Sequence, residues 1–442
     1  MTEKLLPKNH PKLVNAWCSY DWANSVYNLI ITSTIFPVYY GASTEAIFGD
    51  DGIIPFFGWE VKNTVIYSYA ISFSFMVIVF LSPILSGIAD YSGKKKRFMK
   101  FFTYLGSLSC MSLYFFTGEN VEYGLLCSVL ASIGYAGSLV FYNAFLPEIS
   151  TQDQMDRISA RGFSMGYIGS VVLLLVNLVM ITQFETFGFA DKTAATKISF
   201  LMVGVWWMGF AQIGFYFLKD KPTGHKVSSE VFGKGFKELK KVFGQIQSKQ
   251  AMIRFLLAFF LYSMGVQTVM LLAPLFGQSE VGMEGDSLIL TVLILQLVAI
   301  VGAILFAKIS DKKGNKFSIS ITLVIWILVC LLGSMLTSET HFYILAGFLG
   351  LVMGGVQSMS RSTYSKMIPN DHPDTASFFS FYDITEKLAI VIGTLTFGFV
   401  DQLTNMRNSL VAMSAFFILG LILLTRAKLP KGKEEEVEQV VS

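Results

Sequence analysis

Charged and amide side chains inside apolar stretches are the residues of this sequence with the clearest capacity for chemistry. The stretch 16–40 carries Asp21, Asn24, Asn28 and Thr32 at helical spacing, which places them on one face of a helix. Such a stripe is costly against lipid, so it should line an internal cavity or a seam between packed helices. Asp21 has no basic residue three or four positions away. We therefore predict that Asp21 takes up and releases a proton, and that the two asparagines hydrogen-bond a small polar ligand.

A second set of polar residues lies in later apolar stretches. Gln357 and Arg361 are four residues apart, as are Asp383 and Lys387, so each pair shares one helix face. The planar guanidinium of Arg361 suits a carboxylate, which is either that of Asp383 in a fixed ion pair or one on the ligand. Asp383 is a second candidate for proton coupling, unless Lys387 simply neutralises it. Two further candidate ligand-binding amides, each followed by a proline in its stretch, are Asn143 and Gln267.

The composition is that of a protein embedded in a membrane. Mean hydropathy is +0.56, and only 15% of the residues are charged, against about 25% in soluble domains. The four cysteines lack CxxC spacing and the four histidines are scattered, so we predict no metal site and no cofactor. A membrane-embedded enzyme would need a catalytic constellation such as HExxH, which is absent.

Apolar stretches of about 20 residues, the length needed to cross a bilayer, recur along the chain. We count twelve, which predicts an all-α membrane protein with twelve transmembrane helices. The stretches are 16–40, 63–89, 98–117, 121–147, 161–183, 197–218, 251–276, 288–310, 317–337, 342–368, 377–399 and 407–426. The predicted units are a six-helix half over 1–218, a linker over 219–250, a second half over 251–426 and a disordered tail over 427–442.

Lysine and arginine are divided unevenly between the predicted loops. The loops on one side, together with both termini and the linker, hold 24 of them, and the loops on the other side hold 4. The positive-inside rule therefore predicts that both termini are cytoplasmic. Within the linker, apolar residues and lysines recur at helical spacing. This favours an amphipathic helix on the anionic leaflet, with a plain solvated connector as the alternative, and makes membrane lipids predicted partners.

Two basic loops recur half a chain apart. Residues 90–97 read DYSGKKKR and residues 311–316 read DKKGNK, and the two aspartates are 221 positions apart. A motif that recurs at half the chain length indicates an internal duplication. The chain is thus predicted to form two six-helix bundles related by a parallel repeat.

These features resemble the major facilitator superfamily. Its members carry a Gly-x-x-x-Asp-x-x-Gly-Arg-Lys type motif between helices two and three, echoed between helices eight and nine. The resemblance implies a gating latch, in which the acid caps a neighbouring helix end and the basic residues meet carboxylates or lipid. The matching positions, and therefore the predicted gating residues, are Asp90, Gly93, Arg97, Asp311 and Gly314.

Five further blocks are similar to a narrower group, the vacuolar amino-acid effluxer family linked to autophagy in fungi, in its bacterial branch of uncharacterised major facilitators. The blocks are YDWANSVYNLIITSTIFPVYY at 20–40, YNAFLPEI at 142–149, ARGFSMGYIG at 160–169, GVQSMSRSTYSKMIP at 355–369 and SFFSFYDITEK at 377–387. This resemblance implies export of amino acids or similar small polar solutes.

The predicted activity is secondary active transport of a small polar solute by alternating access, with export favoured. No GxxxxGK[ST] loop is present, so a gradient of protons, of another ion or of the solute must drive it. The alternatives are export of other small molecules, or a transporter-derived scaffold or sensor without transport. We expect a monomer in the bacterial plasma membrane and no nucleic-acid partner.

Overall fold

The computed structural model describes residues 6–49, 52–221, 223 and 231–429, and this part of the chain is almost entirely helical. Most of the predicted tail lies outside the described residues. The α-helices in chain order are α1 (Pro11–Val26), α2 (Ile35–Phe48), α3 (Asn63–Ser92), α4 (Lys95–Ser112), α5 (Val121–Ala144), α6 (Leu146–Ile149), α7 (Met155–Thr182), α8 (Lys192–Phe217), α9 (Val231–Ser248), α10 (Gln250–Phe276), α11 (Gly285–Gly333), α12 (Glu339–Met367), α13 (Thr375–Leu403) and α14 (Met406–Arg426). A hairpin of two antiparallel strands, β1 (Ile53–Phe56) and β2 (Trp59–Lys62), joins α2 to α3.

The first predicted membrane stretch is divided in the structure. The helix α1 runs into a π-helical segment over Tyr27–Ser33, and Thr34 interrupts the helix at φ −131° and ψ −83° before α2 begins. Pro37 lies in the first turn of α2, where a proline removes no intrahelical hydrogen bond. The break therefore lies at Thr34, ahead of the proline.

The long helix α11 contains one residue with a non-helical backbone, Gly314, at φ 82° and ψ 160°. Few residues other than glycine adopt a positive φ without strain. Gly314 lies within the predicted loop 311–316, so it separates the two apolar stretches that were expected on either side of that loop.

Eight helices in the described part of the chain are long and apolar enough to cross a membrane. Three predicted stretches are not among these eight. The π-helical segment divides the first stretch, α4 begins with a basic cluster, and α13 carries three charged side chains near its middle. The two stretches within α11 form one continuous helical segment interrupted only at Gly314.

The helices form two groups around a central cavity. In the first group, the N-half (α1–α8), α1 lies against α7 and α8, and α4 lies against α5. In the second group, the C-half (α10–α14), α10 lies against α13 and α14, and α11 lies against α12. The halves meet where α7 packs on α11 and α12, and where α3 and α5 pack on α13. The end of the molecule that carries the loops 90–97 and 311–316 is called the basic end below.

Candidate functional site

A cavity of about 200 Å³ lies between the N-half and the C-half. Pockets for drug-sized ligands measure about 300–1,000 Å³, so this volume fits a smaller solute. Six of the predicted residues line the cavity: Asp21, Asn28, Asn143, Gln267, Gln357 and Arg361. The lining also includes polar residues that were not predicted to bind the solute, among them Ser25, Tyr135, Tyr167, Glu386 and Lys387.

An ion pair between Asp21 and Arg361 forms the end of the cavity that faces the basic end. Nη1 and Nη2 of Arg361 both lie 3.2 Å from Oδ2 of Asp21, and the Tyr142 hydroxyl donates a 2.7 Å hydrogen bond to the same oxygen. The guanidinium also donates to Oγ of Ser159 (3.0 Å), to the Ser159 carbonyl (2.8 Å) and to Oδ1 of Asn143 (3.4 Å). A cation on α12 of the C-half is thus held by acceptors on α1, α5 and α7 of the N-half.

Aromatic rings enclose the Arg361 guanidinium. Its Cζ atom lies 4.1 Å from the ring centre of Phe163 and 4.7 Å from that of Trp17. Such rings attract the cation and keep water away from it. Arg361 is 3% exposed and Asp21 is 5% exposed, and a buried charge needs a bonded partner of opposite sign. That partner is Asp21, so the suggested fixed pair between Arg361 and Asp383 is wrong.

The close approach of this ion pair to α7 depends on Gly162. A Cβ atom on Gly162 would lie 2.5 Å from Oδ2 of Asp21 and 2.9 Å from Nη2 of Arg361. Real Cβ atoms do not approach other heavy atoms this closely, so a larger residue would displace the pair. Only glycine leaves room for the two charged groups against α7.

One sequence pattern of hydrolases, GxSxG, occurs at residues 162–166. In those enzymes the serine sits on a strand-to-helix turn, where its hydroxyl is exposed to substrate. Here Ser164 lies inside the continuous helix α7, so the spacing reflects helix packing. Within the ranges that the structure describes, no group of three or more His, Cys, Asp or Glu side chains could hold a metal ion.

The second charged group of the cavity lies on α13. Nζ of Lys387 is 3.5 Å from Oδ1 of Asp383 and 3.2 Å from Oε2 of Glu386. Gln267 on α10 donates a 3.0 Å hydrogen bond to the other oxygen of Glu386. Asp383 itself is buried outside the cavity lining, and its Oδ2 accepts no hydrogen bond from the described residues. The cavity surface therefore carries Lys387 and Glu386 rather than Asp383.

Asn24 is the other predicted residue that lies away from the cavity. It is buried on α1, and its Nδ2 has no hydrogen-bond partner among the described residues. At about 100° per residue, Asn24 is rotated about 60° from Asp21 in one direction and Ser25 about 40° in the other. The cavity lies on the side of Ser25. The helical spacing of the polar residues on α1 did not show whether the side of Asn24 or the side of Ser25 faces the cavity.

At the basic end, Asp90 joins the two halves. Its carboxylate accepts hydrogen bonds from the backbone N–H groups of Ala376 (3.2 Å) and Ser377 (2.7 Å) in the first turn of α13. A carboxylate in this position satisfies N–H groups that have no partner within the helix and interacts favourably with the helix dipole. Asp90 thus caps a helix end of the opposite half, which is the contact that the resemblance implied.

Other residues of the loop 90–97 have different positions relative to this contact. Gly93 ends α3 at φ 64° and allows the chain to reverse into α4. Nζ of Lys95 then reaches Oε1 of Glu148 in the N-half and Oγ1 of Thr375 in the C-half, both at 2.5 Å. Arg97 is exposed. Lys95, which was not among the predicted gating residues, is therefore the base of this loop that contacts both halves.

The second basic loop contacts the N-half. Asp311 pairs with Arg157 near the start of α7, but the Arg157 side chain is 59% exposed. At the contact between the halves, the buried Asp156 of α7 accepts hydrogen bonds from Asn315 (2.8 Å) and Lys366 (2.6 Å) of the C-half. The two halves are thus bonded to each other at the basic end through both loops.

The linker helix α9 also contacts the C-half at the basic end. Lys241 pairs with Asp374 at the start of α13 (2.9 Å), and hydrogen bonds from its ammonium to Asp374 and Glu238 raise the pKa of Lys241. Phe236 and Phe243 are 61% and 46% exposed, and the ring of Phe243 also contacts that of Phe381 on α13. The exposed rings leave an apolar surface on α9, and its contact with the membrane stays a prediction.

A family model described as "Vacuole effluxer Atg22 like" matches residues 9–437. The chain belongs to this family. The match spans both halves and confirms the resemblance found in the sequence blocks. The Atg22-like chain is accordingly a multi-pass membrane protein of a transporter family.

Two relatives show how far the likeness extends. A Bacillus subtilis (strain 168) protein described as the uncharacterized MFS-type transporter YxiO is 31% identical over 442 residues, covering 98% of each chain. Autophagy-related protein 22 of Kluyveromyces lactis is 24% identical over 425 residues, covering 87% of the Atg22-like chain and 84% of its own. The likeness therefore reaches from a bacterial protein to a fungal one.

Solved structures share the fold. The proton:xylose symporter XylE aligns with a TM-score of 0.70 at 12% identity and 98% coverage of both chains. FucP in its outward conformation aligns with a TM-score of 0.68 at 14% identity, covering 94% of this chain and 98% of its own. At these identities the likeness concerns the fold alone, and it confirms the major facilitator fold of the Atg22-like chain.

Proposed function

We propose that this Atg22-like protein is a secondary transporter that moves a small polar solute, an amino acid or a similar metabolite, by alternating access. The proposed direction is export. The solute binds in the central cavity, where amide, hydroxyl and charged groups of both halves face each other. Each of the two halves contributes part of this surface, so relative movement of the halves exposes it to one side of the membrane or the other.

The observation that carries the proposal is the buried ion pair that spans the two halves at one end of the cavity. Asp21 and Arg361 join α1 to α12 at the cavity, and the contacts of Asp90 with α13 join the halves at the basic end. Opening of the basic end requires both sets of contacts to break. The pair is therefore suited to link events in the cavity to the position of the halves, because each conformation needs its own partner for a buried charge.

The finer architecture belongs to the same proposal. Twelve membrane crossings in two six-helix bundles, related by a parallel repeat, agree with the recurrence of the basic loop after 221 residues. The excess of lysine and arginine at the basic end supports a cytoplasmic location for that end and for both termini. We place the protein in the bacterial plasma membrane, as a monomer in contact with anionic lipids.

Proton coupling is assigned to Asp21. Its carboxylate is buried, faces the cavity and accepts hydrogen bonds from the Arg361 guanidinium and the Tyr142 hydroxyl. If Asp21 takes up a proton, its attraction for Arg361 falls and the inter-half pair weakens. Protonation would then favour separation of the halves at the basic end, which connects a proton gradient to solute movement.

Reconstituted vesicles test the proposal. Purified protein is incorporated into liposomes, and a panel of radiolabelled amino acids and small peptides is offered with and without an imposed pH gradient. We expect at least one solute to accumulate with the gradient and to exchange without it. Asp21→Asn should abolish accumulation and retain exchange. The substitution removes the titrating group but keeps the shape of the cavity. A folded protein that neither binds nor exchanges any solute of the panel would instead support the scaffold alternative.

A further inference from the structure

The hairpin between α2 and α3 carries two large aromatic side chains that the protein leaves uncovered. Its turn consists of Phe57 and Gly58, and the Phe57 side chain is 77% exposed. Trp59, the first residue of β2, is also 77% exposed. Exposed apolar surface that is clustered, unlike single scattered residues, marks a site of contact with a partner or a membrane. The tip of the hairpin, residues 57–59, is therefore a candidate contact surface.

The backbone of the turn is unfavourable for the residue that it carries. Phe57 has φ 47° and Gly58 has φ 85°, and a type I′ turn requires positive φ at both of these positions. Asparagine followed by glycine suits such a turn, whereas a bulky side chain at positive φ is strained. Residues held in strained conformations cluster at functional positions. The phenylalanine at the turn thus points to a contact made by its ring.

One face of the hairpin is apolar from its base to its tip. Ile54 is paired with Val61, and paired residues share one face. Phe56 is paired with Trp59 on the same face, nearer the turn. Ile54 at the base is completely buried, whereas Trp59 is not. The protein therefore covers the base of the apolar face and leaves its tip exposed.

Hydrogen bonds fix the position of the hairpin in the N-half. Asn63, the first residue of α3, donates its backbone N–H to the Gly52 carbonyl (2.8 Å). Nδ2 of the same residue donates to Oγ1 of Thr44 on α2 (2.9 Å). At the turn, the Phe57 N–H donates to Oε1 of Glu122 at the start of α5 (3.5 Å). The exposed tip is thus held at a defined place beside α2, α3 and α5.

The helix α3 sets the level of the hairpin relative to the membrane. Its 30 residues rise about 45 Å, so the hairpin lies at the end of the molecule opposite the basic end. Exposed apolar side chains form a stripe along α3 at helical spacing, as expected of a lipid-facing surface. They are Val65, Tyr69, Phe73, Met76 and Phe80. The stripe begins close to the end of β2, and Trp59 lies at most about 14 Å along the chain from α3. The tip is therefore within reach of the membrane surface.

We propose that residues 57–59 insert into the boundary between headgroups and acyl chains in the bilayer leaflet at this end of the molecule. The ring of Trp59 suits this layer because its body is apolar and its N–H can bond to a headgroup. Burial of the Phe57 ring in the same layer offsets the strain of its backbone. Continuity with the lipid-facing stripe of α3 favours the bilayer over a protein partner.

Quenching of tryptophan emission by brominated lipids tests the proposal. The full-length protein is reconstituted in phosphatidylcholine that carries bromine either near the headgroup or near the end of the acyl chain. The chain has six tryptophans, so the emission of Trp59 is obtained as the difference between the wild type and Trp59→Phe. We expect the shallow bromines to quench this emission about twofold more than the deep ones, since the aromatic belt lies at headgroup level.

Two other outcomes of this measurement would overturn the proposal. Quenching by aqueous acrylamide in place of brominated lipid would show that the tip lies in water. Protection of Trp59 from both kinds of quencher would show that protein covers the tip, either from the C-half or from a partner.

A variant of the turn separates the lipid contact from the stability of the hairpin. Phe57→Asn removes the ring and suits positive φ, so thermal stability in detergent should not fall. Quenching of Trp59 by shallow bromines should fall about twofold, because one of the two inserted rings is lost. Glu60→Gln is the matched control, since Glu60 is exposed on the opposite face of β2, and it should keep the quenching. Each variant is measured with and without Trp59→Phe. Unchanged quenching in Phe57→Asn, or an equal fall in Glu60→Gln, would contradict insertion of the tip.

Discussion

The two charged groups of the central cavity differ in what they connect. Among the described residues, the hydrogen-bond partners of the Arg361 side chain on α12 all belong to the N-half: Asp21, Asn143 and Ser159. Lys387 on α13 is bonded to Asp383 and Glu386 within one turn of its own helix. The first group therefore depends on how the halves are arranged, and the second keeps its internal contacts when the halves move.

The difference also concerns how fully the donors are used. Arg361 donates five hydrogen bonds and is packed between aromatic rings, so it has little capacity left for a solute. Lys387 contacts two carboxylates, at 3.5 Å and 3.2 Å, and lines the cavity. We expect the ion pair of Arg361 to control the conformational change and the α13 group to contact the solute.

Truncation of Arg361 should have the largest effect. Arg361→Ala leaves Asp21 as an unpaired buried carboxylate, and loss of one partner of such a pair costs about 3–5 kcal/mol of unfolding free energy. Transport should be lost in the same variant. Thermal unfolding in detergent and exchange in proteoliposomes measure the two effects. A variant as stable as the wild type would contradict the assignment.

A double variant sharpens the same comparison. Asp21→Leu with Arg361→Met replaces both charges by apolar groups, which is often close to neutral for stability. We expect it to regain most of the lost stability and still fail to transport. Recovery of transport would mean that the pair only holds the fold together.

Gly162→Ala tests the packing of the pair without removing a charge. The added methyl group collides with Asp21 and Arg361, and overpacking of this kind costs about 1–3 kcal/mol. We expect transport to fall about tenfold, a factor that corresponds to about 1.4 kcal/mol. Gly347→Ala is the matched control on α12, because no atom of the described residues lies within 4 Å of its Cβ position. Equal effects of the two substitutions would contradict the role given to Gly162.

Lys387→Gln should act on solute binding more than on stability. Glu386 is partly exposed to the cavity, so water replaces some of the lost contacts and the stability cost stays below that of Arg361→Ala. We expect the half-saturating solute concentration to rise about tenfold, a loss of about 1.4 kcal/mol. Lys387→Arg keeps the charge and should retain most of the affinity. A loss of stability equal to that of Arg361→Ala would remove the distinction between the two groups.

Gln267→Ala should have the smallest effect of the series. It removes one hydrogen bond to Glu386, worth about 1 kcal/mol, from a partner that the cavity still hydrates. Solute affinity should change by less than about fivefold. Titration of solute-dependent thermal stability measures this change. A complete loss of binding would place Gln267 in direct contact with the solute.

Several features of the fold follow from the sequence alone. Apolar stretches of membrane length predict the long helices, since the hydrocarbon layer requires them. The position of Gly314 in a basic loop predicts a break there. The presence of charged groups inside these stretches already indicates an internal cavity, because a lipid-facing charge is too costly. Six of the eight residues predicted for solute binding or proton coupling line one cavity for that reason.

The sequence by itself thus determined which helices form and which polar residues they bury. Only the tertiary structure decided which of those residues meet. Helical spacing relates side chains on one helix, but it says nothing about how that helix is rotated or how deeply it lies against its neighbours. Arg361 therefore pairs with Asp21, 340 positions away, rather than with the nearer Asp383, and Ser25 takes the place at the cavity that Asn24 was expected to hold.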